Sequence, residues 1–587
     1  MGPAQAHDFH LSICPSVSRL ADDAFTLPVR VGLHGNIPSD GAASGALSFR
    51  ITRLAETIVT INLPLSSEIL EELAASGEVS FETMLDLEPL VSSGSCGLGI
   101  HARVQLGGGI EGEARTSIDR GEGPVRYGFL SDFSPQDSDS RDAAVDFLLA
   151  NHITHVQFYD WSFRPHQYRP QVGHDVSESD VYQDTMGKTI DLKVVRDLIG
   201  ELHDRRMRAL GYGAVYAAEA EYVHNHPEQA LYDHEGHTID LIGKFFIMDC
   251  AEGKPWRACI LDQYRYAVAQ VGFDGIHMDT YGFPKTAWDS DGQLVELSPQ
   301  FVSLIDEWAV HGDVNIFNNV GGWPAEATGR AHQEAVYIEV WPPHTRYRHM
   351  RQLIKDARRS GKPVVMAAYL EPFKLRQVDL RIGTTGALQA YRLLTAAICA
   401  YGATHLILGE QGAVLTQPYY SDYTRLTDAE RRVVQAYSDF QVRYRELLYD
   451  PASIEITESH VLGENREFSV EVDGLGAPRI SFDGEPGTVW TAAHRQEQRI
   501  VINLINLTEQ DDSNWNTAKK DSTTAAVVRI QIPRYTDTMR IFVASPDKDH
   551  GDARQLDSTL VTGPRTSALE VIVEDLAWWS VIWVELT

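Results

Sequence analysis

The sequence predicts an α/β protein: a (β/α)8 TIM barrel flanked by an N-terminal and a C-terminal β-sandwich domain. Three observations carry this reading. Eight short apolar runs alternate with helical patterns across the middle of the chain. The first 120 residues are short β-branched segments separated by turn clusters, and the chain returns to that pattern after about residue 450. The expected domains are 1–122, 123–449 and 450–587.

The N-terminal segments Leu27–Val31 and Ile58–Leu63 are β-branched, with a turn cluster at Gly35–Gly41. The polar, Gly-rich stretch 107–123 reads as a linker. Strands are then expected at 125–131, 153–158, 208–215, 274–279, 314–319, 335–340, 363–369 and 404–409. Helical patterns lie between them at Asp142–Ala150, Leu192–Arg206, Trp256–Val271, Pro299–Val310, Thr345–Ser360 and Ala387–Tyr401. Thr427–Leu448 is the last, opened by a capping-box pattern at Thr427–Glu430. An open doubly wound sheet is the alternative, but it would not need eight such units and no G-x-G-x-x-G is present. Ile500–Leu507, Ala526–Ile532, Arg540–Val543 and Trp578–Leu586 read as strands of the last domain.

With 587 residues and 43% hydrophobic content the chain can fill several cores. Its formal charge of −31 repels nucleic acid and anionic membranes, and no apolar run approaches the length of a membrane span. The five cysteines are scattered without a C-x-x-C pair, so neither a zinc site nor a disulfide framework is expected. There is no H-E-x-x-H and no EF-hand spacing, and the acidic run Gln510–Ser513 reads as a loop; no metal or cofactor is expected. Met1–His7 has no basic start or apolar core of a signal peptide, which leaves secreted and cytoplasmic locations undecided.

Active residues of such a barrel collect at the C-terminal strand ends. In order these ends give Tyr127–Phe133, Gln157–Trp161, Gly211–Tyr216, His277–Tyr281, Asn318–Asn319 with Trp323 beyond, Glu339–Trp341, Ala368–Glu371, and Gly409–Glu410. Aromatic faces stack on the C–H faces of sugars, and Asp, Asn and His bond their hydroxyls, so this convergence points to a carbohydrate site. Candidate substrate-binding residues are Tyr159, Asp160, Trp161, Tyr212, His277, Tyr281, Asn319, Trp323, Trp341, Tyr369, Glu371 and Glu410. Solvated loop acids are the plainer reading of Glu371 and Glu410. His277, two residues before Asp279, is either a hydroxyl partner or a satisfied buried histidine. Asp160 reads as a clamp on a sugar hydroxyl, with nucleophile and structural ion pair as alternatives. Asp274 starts its strand and reads as structural.

Two carboxyls would carry the chemistry, Asp279 and Glu339, from strands with one strand between them. The shorter Asp279 suits attack on the anomeric carbon. Glu339, between Ile338 and Val340 and close to Trp341, suits an acid whose pKa is raised by apolar surroundings.

The segments Gln157–Trp161, Gly211–Gly213, Asp274–Asp279 and Tyr337–Trp341 together resemble glycoside hydrolase family 66, the family of endo-dextranases and cycloisomaltooligosaccharide glucanotransferases. The resemblance spans roughly 125–445. It implies Asp279 as nucleophile, Glu339 as acid/base, retention of configuration, and α-1,6-linked glucan, such as dextran or isomaltooligosaccharide, as substrate. Cyclising members resemble one another in carrying a carbohydrate-binding module late in the barrel. Here only about 34 residues separate Tyr369 from Thr404, which favours a dextranase over a glucanotransferase. An exo-acting enzyme on short isomaltooligosaccharides and a non-catalytic glucan-binding protein are the other readings.

Overall fold

The computed structural model describes residues 9–37, 44–88, 94–170, 180–311, 314–376, 378, 383–462, 466–473, 480–521, 526–533, 539–562 and 567–586. Its centre is a curled sheet with eight strands in sequence order: β1 (Tyr127–Leu130), β2 (His155–Phe158), β3 (Arg208–Ala214), β4 (Gly275–Asp279), β5 (Val314–Val320), β6 (Ala335–Glu339), β7 (Val364–Ala367) and β8 (Thr404–Leu406). Each pairs in parallel with the next. Two residues past β8, Leu408–Gly409 pairs in parallel with β1, and the Thr404 hydroxyl donates to the Val125 carbonyl at 2.6 Å. The short strands Ala413–Leu415 and Tyr423–Arg425 continue the sheet antiparallel, for eleven strands in all.

The side-chain period of two divides each strand between an interior face and a helix-covered face. In β4, Ile276 and Met278 join the apolar cluster that includes Leu198, Ile260 and Phe301 from the covering helices. His277 and Asp279 point the other way, into the interior. β4 and β5 run unusually close at their start: a Cβ on Gly275 would lie 1.6 Å from the Val314 carbonyl oxygen.

Helices Ser138–Ala150, Leu192–Asp204, Pro255–Tyr266, Leu297–Ala309, Tyr347–Arg358, Gly383–Ala400 and Asp428–Arg443 cover the sheet. Leu192–Asp204 shows the cause: Val195, Leu198, Ile199 and Leu202 form one buried stripe, and the Asp191 carboxylate accepts from the Lys193 N–H. The capping box at Thr427 and Glu430 forms as expected. After β5 the helix shrinks to Ala325–Thr328, where Gly321, Gly322 and Pro324 interrupt any longer run.

Ahead of this unit, a three-stranded sheet (His10–Pro15, Thr26–His34, Glu78–Asp86) and a five-stranded sheet share one apolar core. The stretch expected as a linker, 107–123, is a hairpin instead. Gly107–Gly109 turns the chain, with Gly108 and Gly109 at φ of 75° and 79°, and Ile110–Arg120 is an eleven-residue strand of the five-stranded sheet.

After residue 450, a seven-stranded and a four-stranded sheet enclose another apolar core. Arg499–Asn506 is apolar on both faces for a physical reason. Ile500, Ile502 and Leu504 fill the space between those sheets, while Val501 and Ile505 join Trp490, Trp579 and Trp583 in the cluster shared with Gly383–Ala400 and Asp428–Arg443. The five cysteines are unpaired. Among the described residues no helix is long and apolar enough to cross a membrane.

Candidate active site

A cavity of about 850 Å³ opens at the C-terminal ends of the parallel strands. Three consecutive strands supply its floor. β4 ends on Asp279, β6 ends on Glu339, and Asn318 projects from β5 between them. The single Asn318 side-chain amide donates to Asp279 Oδ1 at 2.6 Å and to Glu339 Oε2 at 3.0 Å. With the two N–H bonds of a planar amide about 120° apart, these oxygens lie roughly 5 Å from each other. Each carboxyl has a second donor on its far oxygen: Tyr212 Oη to Asp279 Oδ2 at 2.6 Å, and Tyr369 Oη to Glu339 Oε1 at 2.7 Å.

Burial raises the pKa of both acids. The charge of Glu339 adds to this on Asp279, which is pushed up to about 7, while Tyr212 and Asn318 oppose the shift by bonding its ionised form. On Glu339 the donors Asn318, Tyr369 and Trp341 likewise oppose burial. Two like charges this close cannot both form cheaply, so the pair titrates as a unit and keeps one proton to near neutral pH.

The walls are aromatic. Tyr159 stacks on Tyr420 at 4.7 Å between ring centres, and Tyr281, Trp323 and Trp341 line the cavity, Trp341 with 38% of its surface exposed. Asp160 lines it too, its backbone in the left-handed region at φ 52°. Burial pushes its carboxyl up to about 7, against the pull of Lys188. His277 lies in the floor, almost fully buried, with Nδ1 3.0 Å from the Tyr127 hydroxyl; burial lowers its pKa to about 3, so the ring is neutral.

The sequence model of glycosyl hydrolase family 66 matches residues 121–583. The chain belongs to glycosyl hydrolase family 66. Two cycloisomaltooligosaccharide glucanotransferases of Niallia circulans are each 22% identical over 632 aligned positions, covering 82% of this chain and 64% of theirs. The chain thus spans under two thirds of those relatives' length. The crystal structure of a Paenibacillus sp. cycloisomaltooligosaccharide glucanotransferase with cycloisomaltoheptaose has the same fold. Its TM-score is 0.82 at 19% identity, covering 98% of this chain and 100% of that one. The relatives named are glucanotransferases, the second of the two activities expected from the sequence.

In this family 66 chain, four of the expected site residues fall outside the cavity. Trp161 is fully buried, packs on Tyr168 and Phe273, and donates to the Tyr212 carbonyl at 3.2 Å; it supports β3 from behind. Asn319 faces the helices, donates to the Phe317 and Tyr337 carbonyls, and accepts from Thr328 Oγ1 at 2.6 Å. Glu371 opens the short helix Pro372–Leu375 and does not line the cavity. Glu410 is buried, and accepts from Ser131 N, Ser131 Oγ and Asp132 N, tying the end of the last strand to the turn after β1. Asp274 pairs with His203 and Arg208 at the opposite end of β4.

Asn318 and Tyr420 are among the cavity residues that sequence reasoning missed. The Tyr420 hydroxyl is 2.7 Å from that of Tyr337 and 3.3 Å from that of Tyr369. Asn318 had no decisive signal: Phe317 faces the helices and Asn318 the interior, but that phase is fixed only by the pairing with β4 and β6. Tyr420 lies in an aperiodic stretch, Gln417–Tyr420, that offers none.

Proposed function

We propose that this chain is a retaining family 66 enzyme that breaks α-1,6-glucosidic linkages of dextran or isomaltooligosaccharides by double displacement. The observation that carries this is the Asn318 amide shared between Asp279 and Glu339. The spacing it imposes, roughly 5 Å, matches a nucleophile and acid/base pair and is too short to admit the water an inverting enzyme needs between its carboxyls. Glu339 protonates the leaving oxygen as Asp279 bonds the anomeric carbon. Glycosylation removes the negative charge of Asp279. Glu339, now ionised, takes the proton of the incoming O–H as its oxygen bonds the anomeric carbon and the bond to Asp279 breaks.

The named relatives favour a sugar hydroxyl as acceptor, giving transferred or cyclic products. The short Tyr369–Thr404 interval, without room for an inserted module, favours water as the second reading. We also read the curled sheet as a closed (β/α)8 barrel at 123–449 between β-sandwich domains at 1–122 and 450–587. The support is the pairing of the two sides of one short stretch, Thr404–Gly409, with β7 and β1.

The test is chromatography of products from dextran and isomaltooligosaccharides over time, with proton NMR of the first anomer formed. Asp279→Asn and Glu339→Gln should each lose nearly all turnover on these substrates. Near-wild-type turnover in either variant, or an inverted first product, overturns the assignment. Cyclic or lengthened products select transfer; only shorter linear sugars select hydrolysis.

A further inference from the structure

The loop after β6 brings Trp341, Pro342, Pro343 and His344 into the cavity wall. Pro342 and Pro343 have no N–H to donate, so this loop has few bonds of its own. Beyond its own turn bonds, His344 N–H to the Trp341 carbonyl and Thr345 N–H to the Pro343 carbonyl, each at 2.9 Å, it is held by the unit after residue 450. Trp515 donates its indole N–H to the His344 carbonyl at 2.7 Å and its backbone N–H to the Thr345 carbonyl at 3.1 Å. The Tyr347 N–H donates to the Ser513 carbonyl at 3.0 Å, and the Arg346 guanidinium to Ser513 Oγ at 2.9 Å. One residue on, Asn516 Oδ1 accepts from the Glu371 N–H at 2.9 Å, two residues past Tyr369.

The segment is cross-linked by its own side chains. Lys519, with a side chain 1% exposed, donates to Asp512 Oδ1, the Asn514 carbonyl and Thr517 Oγ1. The Gln510 side chain closes the base of the loop by bonding the Lys520 N–H and carbonyl, each at 3.0 Å. An acidic run that reads as a plain surface loop is thus a stapled loop docked on the two backbone stretches that carry the contacts of Glu339. Tyr369 bonds the Glu339 carboxylate, and the Trp341 indole bears on it as well.

We propose that this segment, through Trp515, positions the acceptor side of the cavity and sets how often the glycosyl-enzyme is resolved by a sugar rather than by water. This rests on the assignment of Glu339 as acid/base. The leaving oxygen departs, and the acceptor oxygen arrives, beside that carboxyl, so the wall on its own loop borders the acceptor. Trp515 is 5% exposed and does not line the cavity, so it is a positioning residue.

Trp515→Phe keeps most of the ring and removes the indole bond to His344. The assay uses 4-nitrophenyl α-isomaltoside as donor, whose leaving group departs with little help from an acid, and isomaltose as acceptor. Loss of one net hydrogen bond predicts an acceptor KM raised about five- to tenfold and a transfer-to-hydrolysis ratio lowered by the same factor. Nitrophenol release without acceptor should stay within about twofold of wild type. An unchanged acceptor KM, or nitrophenol release that falls in step with transfer, overturns the proposal. Asn516→Ala, which removes only the bond to the Glu371 N–H, should shift the ratio in the same direction, and it decides the matter if Trp515→Phe does not fold. Wild-type protein inactive on both donor and dextran refutes the functional assignment itself, whereas an active wild type with unaffected variants refutes only the role of this segment.

Discussion

Replacing Asn318 by Ala removes both donors that Asp279 and Glu339 share. The Asn318 amide bonds the ionised form of each acid and holds both pKa values below where burial alone would put them. Its loss therefore raises both. Hydrogen bonds to charged groups contribute about 1.5–3 kcal/mol each, and roughly 1.4 kcal/mol corresponds to one pKa unit. The acidic limb of kcat/KM, which under the proposed mechanism reports ionisation of Asp279, should move up by about one pH unit. At the optimum, kcat/KM should fall about 10- to 100-fold, because the spacing of the pair is no longer fixed. Asn318→Asp puts a third carboxyl between the two and should move the limb further in the same direction. Initial rates on isomaltooligosaccharide across pH 4–9 measure both effects. An acidic limb that stays in place, or moves down, refutes the view that this amide tunes the pair.

Three further outcomes follow from the same geometry. The Asp279–Glu339 pair keeps a proton up to about pH 7 in the fold, whereas an unfolded aspartate releases its proton near about 3.9, so between those values the folded state holds a proton that the unfolded chain has released. Stability should fall as pH rises from about 4 to 7, and Asp279→Asn should melt higher than wild type at pH 7, by on the order of 2–4 kcal/mol in scanning calorimetry. Tyr369→Phe removes a donor to ionised Glu339 and raises its pKa; the basic limb of kcat/KM should shift to higher pH, and a downward shift would contradict the assigned role. Glu371→Ala should leave kcat/KM on dextran within about twofold, since its side chain is outside the cavity.

The eight parallel strands were legible because each is a short apolar run bounded by turn residues, and every one begins and ends within about three residues of its expected place. The strand Ile110–Arg120 was not legible, for a physical reason. Its buried end is Ser117, Asp119 and Arg120, polar side chains that only tertiary partners satisfy. Asp119 pairs with Arg126 and with Arg445, the latter 326 residues away, so in sequence the segment has the composition of a linker.

The site was legible in its carboxyls and its aromatic character, and illegible wherever parity decided the outcome. Asn318 and Asn319 are adjacent, identical and both buried, yet one bridges Asp279 and Glu339 and the other braces a helix. Register separates them. His277 faces the interior and pairs with Ile316, so two residues on Asn318 shares that face, beside Tyr337 and the strand that ends on Glu339. A strand's pattern gives its period but not its phase relative to neighbours, and a slip of one residue exchanges every inward and outward side chain. The same holds after β2. Tyr159, Asp160 and Trp161 do not simply alternate, because the left-handed backbone at Asp160 redirects the chain, keeping that carboxyl in the cavity and sending Trp161 behind β3. The acids could be found from sequence because a carboxyl ending an apolar strand has few structural excuses. Their shared amide could not, because an asparagine has many, and only the pairing of β4, β5 and β6 removes all but one.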